Sequence, residues 1–135
     1  MSDRDTHLLR LRPEIASAKV TEHMSEDEQF QNAVLRPIIK FQNSLLVAMF
    51  KNYISKYKNT FHELQGQKRF DYIENAVQKN MKFRNSLKGV IIGQFTLEEY
   101  GQYVRNSSAL NKRMMSMVVE RFKDQMQLFE EEALV

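Results

Sequence analysis

The fold of this chain is decided by residues 30–57, which read FQNAVLRPIIKFQNSLLVAMFKNYISKY. Apolar residues recur there at steps of three and four, the spacing that places side chains on one face of an α-helix. One stripe consists of Phe30, Val34, Ile38, Phe41, Leu45, Met49 and Tyr53, and a second of Leu35, Ile39, Leu46, Phe50, Ile54 and Tyr57. Two adjoining stripes make a wide apolar face, so we predict one long central helix from Glu26 to about Lys58.

Local signals indicate where this helix begins and where it is irregular. Ser25 followed by Glu28 forms a capping box, which predicts the helix start. Pro37 removes one backbone donor and crowds the preceding turn, so we predict a kink near Leu35 and Arg36. Because Phe41 and Leu45 lie on the first stripe, we expect both side chains in the core, where truncation to alanine would cost about 2–5 kcal/mol.

The sequence that follows predicts more helices. Four glycines and two prolines in 135 residues are too few for the frequent turns of an all-β fold. Another helix is predicted to carry Phe70, Ile73, Val77 and Met81 and to continue, after a bend near Asn80, through Leu87 and Ile91. Gly93 either ends this helix or lets another helix approach closely. Thr96 and Glu99 form another capping box, which predicts a short helix ending near Arg105.

The last helix is predicted to begin with Ser107 or Ser108 as its N-cap. Its apolar stripe consists of Leu110, Met114, Met117, Val118, Phe122 and Phe129. The acidic run of residues 130–132 opposes the helix dipole at that end, so we expect these residues to fray.

The chain is therefore predicted to be all-α. Residues 1–24 are interpreted as a loosely held N-terminal arm, in which Pro13 opens a short helix running to about Val20. Residues 25–135 are predicted to form a compact bundle of four to five helices, with the long helix kinked near Pro37.

Composition indicates a folded protein and excludes several kinds of chemistry. Hydrophobic residues make up 42% and charged residues 27% of the chain, which is ordinary for a globular domain. The chain has no cysteine, which excludes disulfides and thiolate sites. The polar N-terminus lacks a signal peptide, and the apolar runs are far shorter than the ~20 residues of a membrane span. We therefore expect a cytoplasmic protein without a membrane partner.

Charge is concentrated in the middle of the sequence. The whole chain carries a net charge of +3, whereas residues 51–88 hold nine Lys or Arg against three acids, a local charge of +6. Such a region either is a solvated lysine-rich surface or attracts anions and nucleic acid. The candidate contacts for an anion or nucleic acid are Lys51, Lys58, Lys79, Lys82, Arg84 and Lys88.

The same region interleaves basic and aromatic residues, as in Lys56 and Tyr57, a composition that suits single-stranded nucleic acid. On one helix, however, the tyrosines continue the apolar stripes while Lys51 and Lys58 share a polar face. The periodicity therefore predicts that rings and ammonium groups are segregated.

No motif predicts catalysis or a bound cofactor. Phosphate loops, nucleophile elbows and H-E-x-x-H pairs are missing, and the three histidines have no ligand spacing. We expect no catalytic, cofactor-binding or metal site. Met115 lies off the apolar stripe of the last helix, and its flexible thioether suits varied partners, so it is the candidate contact for a protein partner.

Three stretches resemble a group of small bacterial proteins of unknown function: FQNAVLRPIIKFQN (residues 30–43), KFRNSLKG (residues 82–89) and IIGQFTLEEY (residues 91–100). The resemblance covers about residues 27–129. Members of this group often carry the automatic label "glyoxalase", which implies a metal-dependent lyase built from paired β-α-β-β-β modules. The helical periodicity and three histidines depart from that pattern, so no site residue is carried over.

We expect a non-catalytic helical protein-interaction module, or a small subunit of a larger assembly, that binds a protein partner. The alternative is a nucleic-acid-associated protein that uses the basic surface of residues 51–88. The third interpretation is a glyoxalase-type lyase.

Overall fold

The computed structural model of the chain describes residues 2–16 and 18–130. This part of the chain is 77% helix and has no strands, which confirms the all-α prediction. It forms seven helices, more than the four to five predicted. They are α1 (Asp3–Leu11), α2 (Glu26–Phe41), α3 (Asn43–Lys56), α4 (Gln67–Lys79), α5 (Met81–Ile92), α6 (Leu97–Arg105) and α7 (Ser107–Asp124). Short 3-10 helices follow α3 (Thr60–Glu63) and α7 (Met126–Phe129).

The predicted long helix is two helices, and the predicted kink near Pro37 is wrong in position. α2 and α3 meet at Gln42 with a bend of 62°. Pro37 lies within α2, directly after a π-helical turn at Gln31–Leu35. A turn with an extra residue relieves the crowding that a proline imposes on the turn before it, so the helix continues through Pro37.

The bend at Gln42 is fixed by side chains of that residue and the next. Gln42 leaves α-helical geometry at φ −87° and ψ 4°, and its side-chain amide donates to the carbonyl of Val90 at 3.2 Å. Asn43 donates to Oε1 of Gln125 at 2.7 Å and accepts from Nε of Arg121 at 3.1 Å. These partners lie far along the chain and turn α3 away from the axis of α2.

The bend also changes which side chains reach the core. Phe41 is 41% and Leu45 is 47% exposed, so the prediction that both are core residues is wrong. The second stripe is correct for most of its length, because Leu46 is only 1% exposed and Phe50 is fully buried. Farther along α3 the first stripe returns to the core, where Met49 and Tyr53 are partly buried against it.

Phe50 is the centre of an aromatic core. Its ring centroid lies 4.8–6.3 Å from six other rings, those of Tyr53, Phe61, Tyr72, Phe83, Phe122 and Phe129. The central helix is α7 rather than the predicted one, since it packs against α2, α4, α5 and α6. Side chains from separate parts of the sequence thus pack into a single hydrophobic core.

Capping residues set several of the helix ends. Thr96 and Glu99 form the predicted reciprocal capping box at the start of α6, and the oxygen of Ser25 accepts from the backbone of Glu28 at the start of α2. Asn80 separates α4 from α5 and caps α5, at the predicted bend. The predicted serine cap of the last helix is wrong, because Asn106 precedes α7 and its side-chain amide donates to Asp27 instead.

The N-terminal helix is not where it was predicted. α1 ends at Leu11, before Pro13, because the residue that precedes a proline favours extended backbone, and Arg12 is extended at φ −71° and ψ 123°. The described residues between Pro13 and Val20 are not helical. Among residues 130–132, expected to fray, only Glu130 is described, and the other two lie outside the described residues.

In the described part of the chain, no helix by itself has both the length and the apolar composition of a membrane span, although the bent pair of α2 and α3 passes that test together.

Candidate functional site

The predicted basic contacts are distributed over three helices. Lys51 lies on α3 and Lys58 just after it, Lys79 ends α4, and Lys82, Arg84 and Lys88 lie on α5. Four of them are exposed, whereas Lys88 and Arg84 are half-buried, and Arg84 donates to the side chain of Gln78 at 2.7 Å. Of this set, Lys82 alone lines a cleft in which α3 and α5 bring several aromatic rings together.

This cleft lies between the end of α3 and the start of α5 and has a volume of about 210 Å³. We call it the tyrosine cleft and define it by Tyr53, Lys56, Tyr57, Asn80, Lys82 and Phe83. The Tyr53 ring lies 4.5 Å from the ring of Tyr57 and 4.5 Å from that of Phe83. Lys51 and Lys58 do not line this cleft, in agreement with the segregation predicted along one helix. Lys56 and, from α5, Lys82 nevertheless lie beside Tyr53 and Tyr57.

Asn80 fixes the geometry of the tyrosine cleft through hydrogen bonds to both α3 and α5 residues. Its side-chain oxygen accepts from the backbone N–H of Phe83 at 3.1 Å, which starts α5. Its amide nitrogen donates to the hydroxyl of Tyr57 at 2.9 Å and to that of Tyr53 at 3.4 Å. One side chain thus caps the helix and holds both phenols.

The phenols of Tyr53 and Tyr72 stay protonated at neutral pH. Burial, with smaller contributions from the neighbouring Tyr53 and Tyr57, raises the pKa of Tyr72 to about 12. The Tyr72 hydroxyl is buried and has no hydrogen-bond partner among the described residues. Burial likewise raises the pKa of Tyr53. Rings in this state can stack and hydrogen-bond with a ligand, but they do not supply a base.

A second surface, on α6, was not predicted from the sequence. Leu97, Tyr100 and Val104 follow one another at steps of three and four and are 67%, 48% and 50% exposed. Gly101 lies among them, with nothing within 4 Å of the position that a Cβ would occupy. We call these four residues the α6 face. Only Tyr103 of α6 is buried, so this helix presents an apolar row to solvent.

α1 and α7 hold α6 in place. Arg12 forms a two-pronged ion pair with Glu99, at 2.5 and 2.8 Å. The carboxylate of Asp5 accepts from the first N–H of α6, on Leu97, at 3.3 Å, and Tyr103 donates to the side chain of Asn111 at 2.6 Å. The α6 face is therefore presented by a fixed helix, and the arm takes part in fixing it.

The structure does not place Met115 at a surface. Its side chain is fully buried, packed with Met114 and Val118 into the core cluster. The predicted partner contact at Met115 is therefore wrong, because the side of α7 buried against its neighbours is wide enough to include Met115. Within residues 2–16 and 18–130, no three His, Asp or Glu side chains are grouped as a metal site.

Sequence spacing predicts the α6 face only in part. Leu97, Tyr100, Tyr103 and Val104 fall within a single arc of about 120° around the helix, which predicts one apolar stripe. The sequence spacing does not show that Tyr103 is the buried member of this stripe and that the other three are exposed.

Comparison with protein-family models, curated proteins and solved structures finds no match to this chain. The resemblance to small bacterial proteins therefore stays a prediction.

Proposed function

We propose that the protein is a non-catalytic helical interaction module that binds an amphipathic helix through the α6 face. The observation that carries this proposal is the exposure of Leu97, Tyr100 and Val104 in one row on a fixed helix. Isolated exposed apolar residues are normal on a protein surface, but a row at helical spacing is the anchor pattern of helix-to-helix recognition.

The charges beside the α6 face define the partner further. Glu98 lies at the start of α6 and Arg105 at its end, and both are exposed. A helix that packs along this face therefore needs a basic residue near Glu98 and an acidic residue near Arg105. Complementary charges of this kind set the orientation and the choice of partner more than the affinity.

The experiment is affinity capture of the tagged full chain at native expression, after nuclease treatment and with an untagged copy of the chain present. The test variant is Leu97→Lys with Val104→Lys, and the matched control is Met81→Lys, which changes an exposed apolar residue elsewhere. We expect the test variant to lose at least one protein that the wild type and the control retain. Recovery of the same proteins with all three chains would contradict the proposal.

A second function, binding of single-stranded nucleic acid, is favoured by the tyrosine cleft. Stacked rings with lysines at the rim are the two elements that hold unpaired bases and their phosphates. Tyr57 is exposed at the cleft, and Lys56 and Lys82 are exposed beside it. Two phosphate contacts would support only weak binding, with a dissociation constant no tighter than ~10 μM at physiological salt.

Fluorescence anisotropy with a labelled single-stranded oligonucleotide tests this second function. Two phosphate contacts predict a slope of log K against log salt of about −1.4, which weakens binding roughly sevenfold between ~50 and ~200 mM salt. Lys82→Ala should reduce the magnitude of the salt slope by about 0.7. Tyr57→Ala should weaken binding but leave the salt slope unchanged. Lys51→Ala, outside the cleft, is the control. Equal losses for Lys51→Ala and Lys82→Ala would refute a role for the cleft.

The helical fold differs from the β-α-β-β-β modules that the glyoxalase label implies. We therefore carry no lyase mechanism onto this chain.

A further inference from the structure

We infer that the α6 face binds the α6 face of a second copy of this chain, in an antiparallel pair about a two-fold axis. This inference rests on the proposed function and identifies its partner. The basis is that α6 itself has the properties its partner needs: an apolar row, one acidic end and one basic end.

The apolar row is self-complementary. Leu97 and Val104 are seven residues apart, so the midpoint between them falls at Tyr100 and Gly101. When two such helices run antiparallel about an axis through that midpoint, Leu97 of each copy lies opposite Val104 of the other. Both side chains are at least half exposed in the single chain, so this pairing removes apolar surface from water.

Gly101 lies at the point where the two helices come closest. It is exposed, and no atom lies within 4 Å of where its Cβ would be, so the space above it is open. A glycine allows another backbone to approach closely at this position. Tyr100 lies beside it on the flank of the row, where the two copies of its ring meet across the axis.

The positions of Glu98 and Arg105 also favour an antiparallel pair about this two-fold axis. Glu98 and Arg105 are also seven residues apart and lie on one flank of α6, about 20° apart around the helix. In the antiparallel pair, Glu98 of each copy therefore lies opposite Arg105 of the other, whereas a parallel pair would place like charges together. Neither residue takes part in an ion pair within the described part of the chain.

The size of the surface determines the expected strength. α6 is nine residues long, or about 13 Å. Such an interface lies at the small end of specific complexes, so we expect a reversible dimer with a dissociation constant on the order of 10–100 μM.

Sedimentation velocity of the full chain over a range of concentrations tests the inference, using Glu98→Arg and Arg105→Glu. Each variant alone places like charges at both ends of the pair, so each should weaken dimerisation at least tenfold. An equimolar mixture should dimerise again, because one chain then presents two arginines and the other two glutamates. Each change also opposes the helix dipole, but mixing does not relieve that effect, so recovery reports the interface alone. Lys51→Glu is the charge-reversal control and should leave the dimer unchanged.

A wild-type chain that stays monomeric throughout this range, or a mixture that does not recover, would overturn the inference. If that chain still captures another protein in a manner that depends on Leu97 and Val104, the proposed function stands with a different partner. If capture is also independent of these two residues, the proposed function fails as well.

Discussion

Two neighbouring leucines of α3 should respond very differently to truncation, although they are the same residue type in the same helix. Leu46 is 1% exposed and belongs to the core, whereas Leu45 is 47% exposed. Leu46→Ala removes buried atoms and leaves a cavity, which should lower the free energy of unfolding by about 2–5 kcal/mol. Leu45→Ala loses only part of the ~1.5–3 kcal/mol transfer energy and leaves no enclosed cavity, so it should cost less than about 1 kcal/mol.

Urea titration followed by far-ultraviolet circular dichroism measures both changes, with the denaturant slope checked for a constant unfolded state. For a chain of this length, each 1 kcal/mol lowers the melting temperature by about 3–5 °C, so the two variants should melt at clearly different temperatures. Phe41→Ala, on the exposed side of the bend, should behave like Leu45→Ala. If Leu45→Ala destabilises the protein as much as Leu46→Ala, then α2 and α3 form one continuous stripe and the bend at Gln42 is misplaced.

Three further results follow from the same contacts. Thr96→Ala removes the oxygen that caps α6 and should lower the unfolding free energy by about 1 kcal/mol, and Thr96→Ser, which keeps the cap, should restore most of it. Arg12→Ala removes the ion pair to Glu99 and should increase amide hydrogen exchange in α6, while the exchange of α4 stays as in the wild type; equal increases in both helices would contradict this role. Since the pKa of Tyr72 in the folded chain, about 12, lies above its ordinary value of 10.0, its contribution to stability is complete below pH 10 and is lost as the pH rises towards 12. Tyrosinate absorbance should therefore include a phenol titrating near pH 12 that Tyr72→Phe removes, and identical titration curves for the two proteins would refute its burial.

Local sequence signals were sufficient for the fold class and for several helix ends. Periodicity predicts an all-helical chain, and the capping box at Thr96 and the break at Asn80 depend on residues within a few positions of each other. Such features are readable because the interactions that produce them are local.

The bend at Gln42 could not be predicted from local sequence signals. Gln42 and Asn43 look like ordinary polar residues of one helix, and their partners Val90 and Gln125 are 48 and 82 residues away. Helical spacing alone therefore predicts one continuous stripe across Gln42, and that stripe wrongly includes Phe41 and Leu45 in the core.

The candidate sites depend on tertiary packing in a similar way. Lys82 meets the tyrosines of α3 because Asn80 ties the start of α5 to their hydroxyls, a contact that separate helix patterns do not contain. A single apolar stripe on α7 predicts Met115 outside the core, whereas that helix has neighbours on several sides. For the α6 face the spacing was present in the sequence, but only the position of Tyr103 shows which side is buried.

The absence of cysteine from the chain allows a direct test of the α6 face as the binding surface. Gly101→Cys places one thiol next to the proposed two-fold axis, and Lys51→Cys places one at an exposed position on α3. Under mild oxidation, we predict that Gly101→Cys forms a disulfide-linked dimer rapidly and that adding Leu97→Lys slows this reaction at least tenfold. Equal rates of cross-linking at positions 101 and 51 would contradict the account.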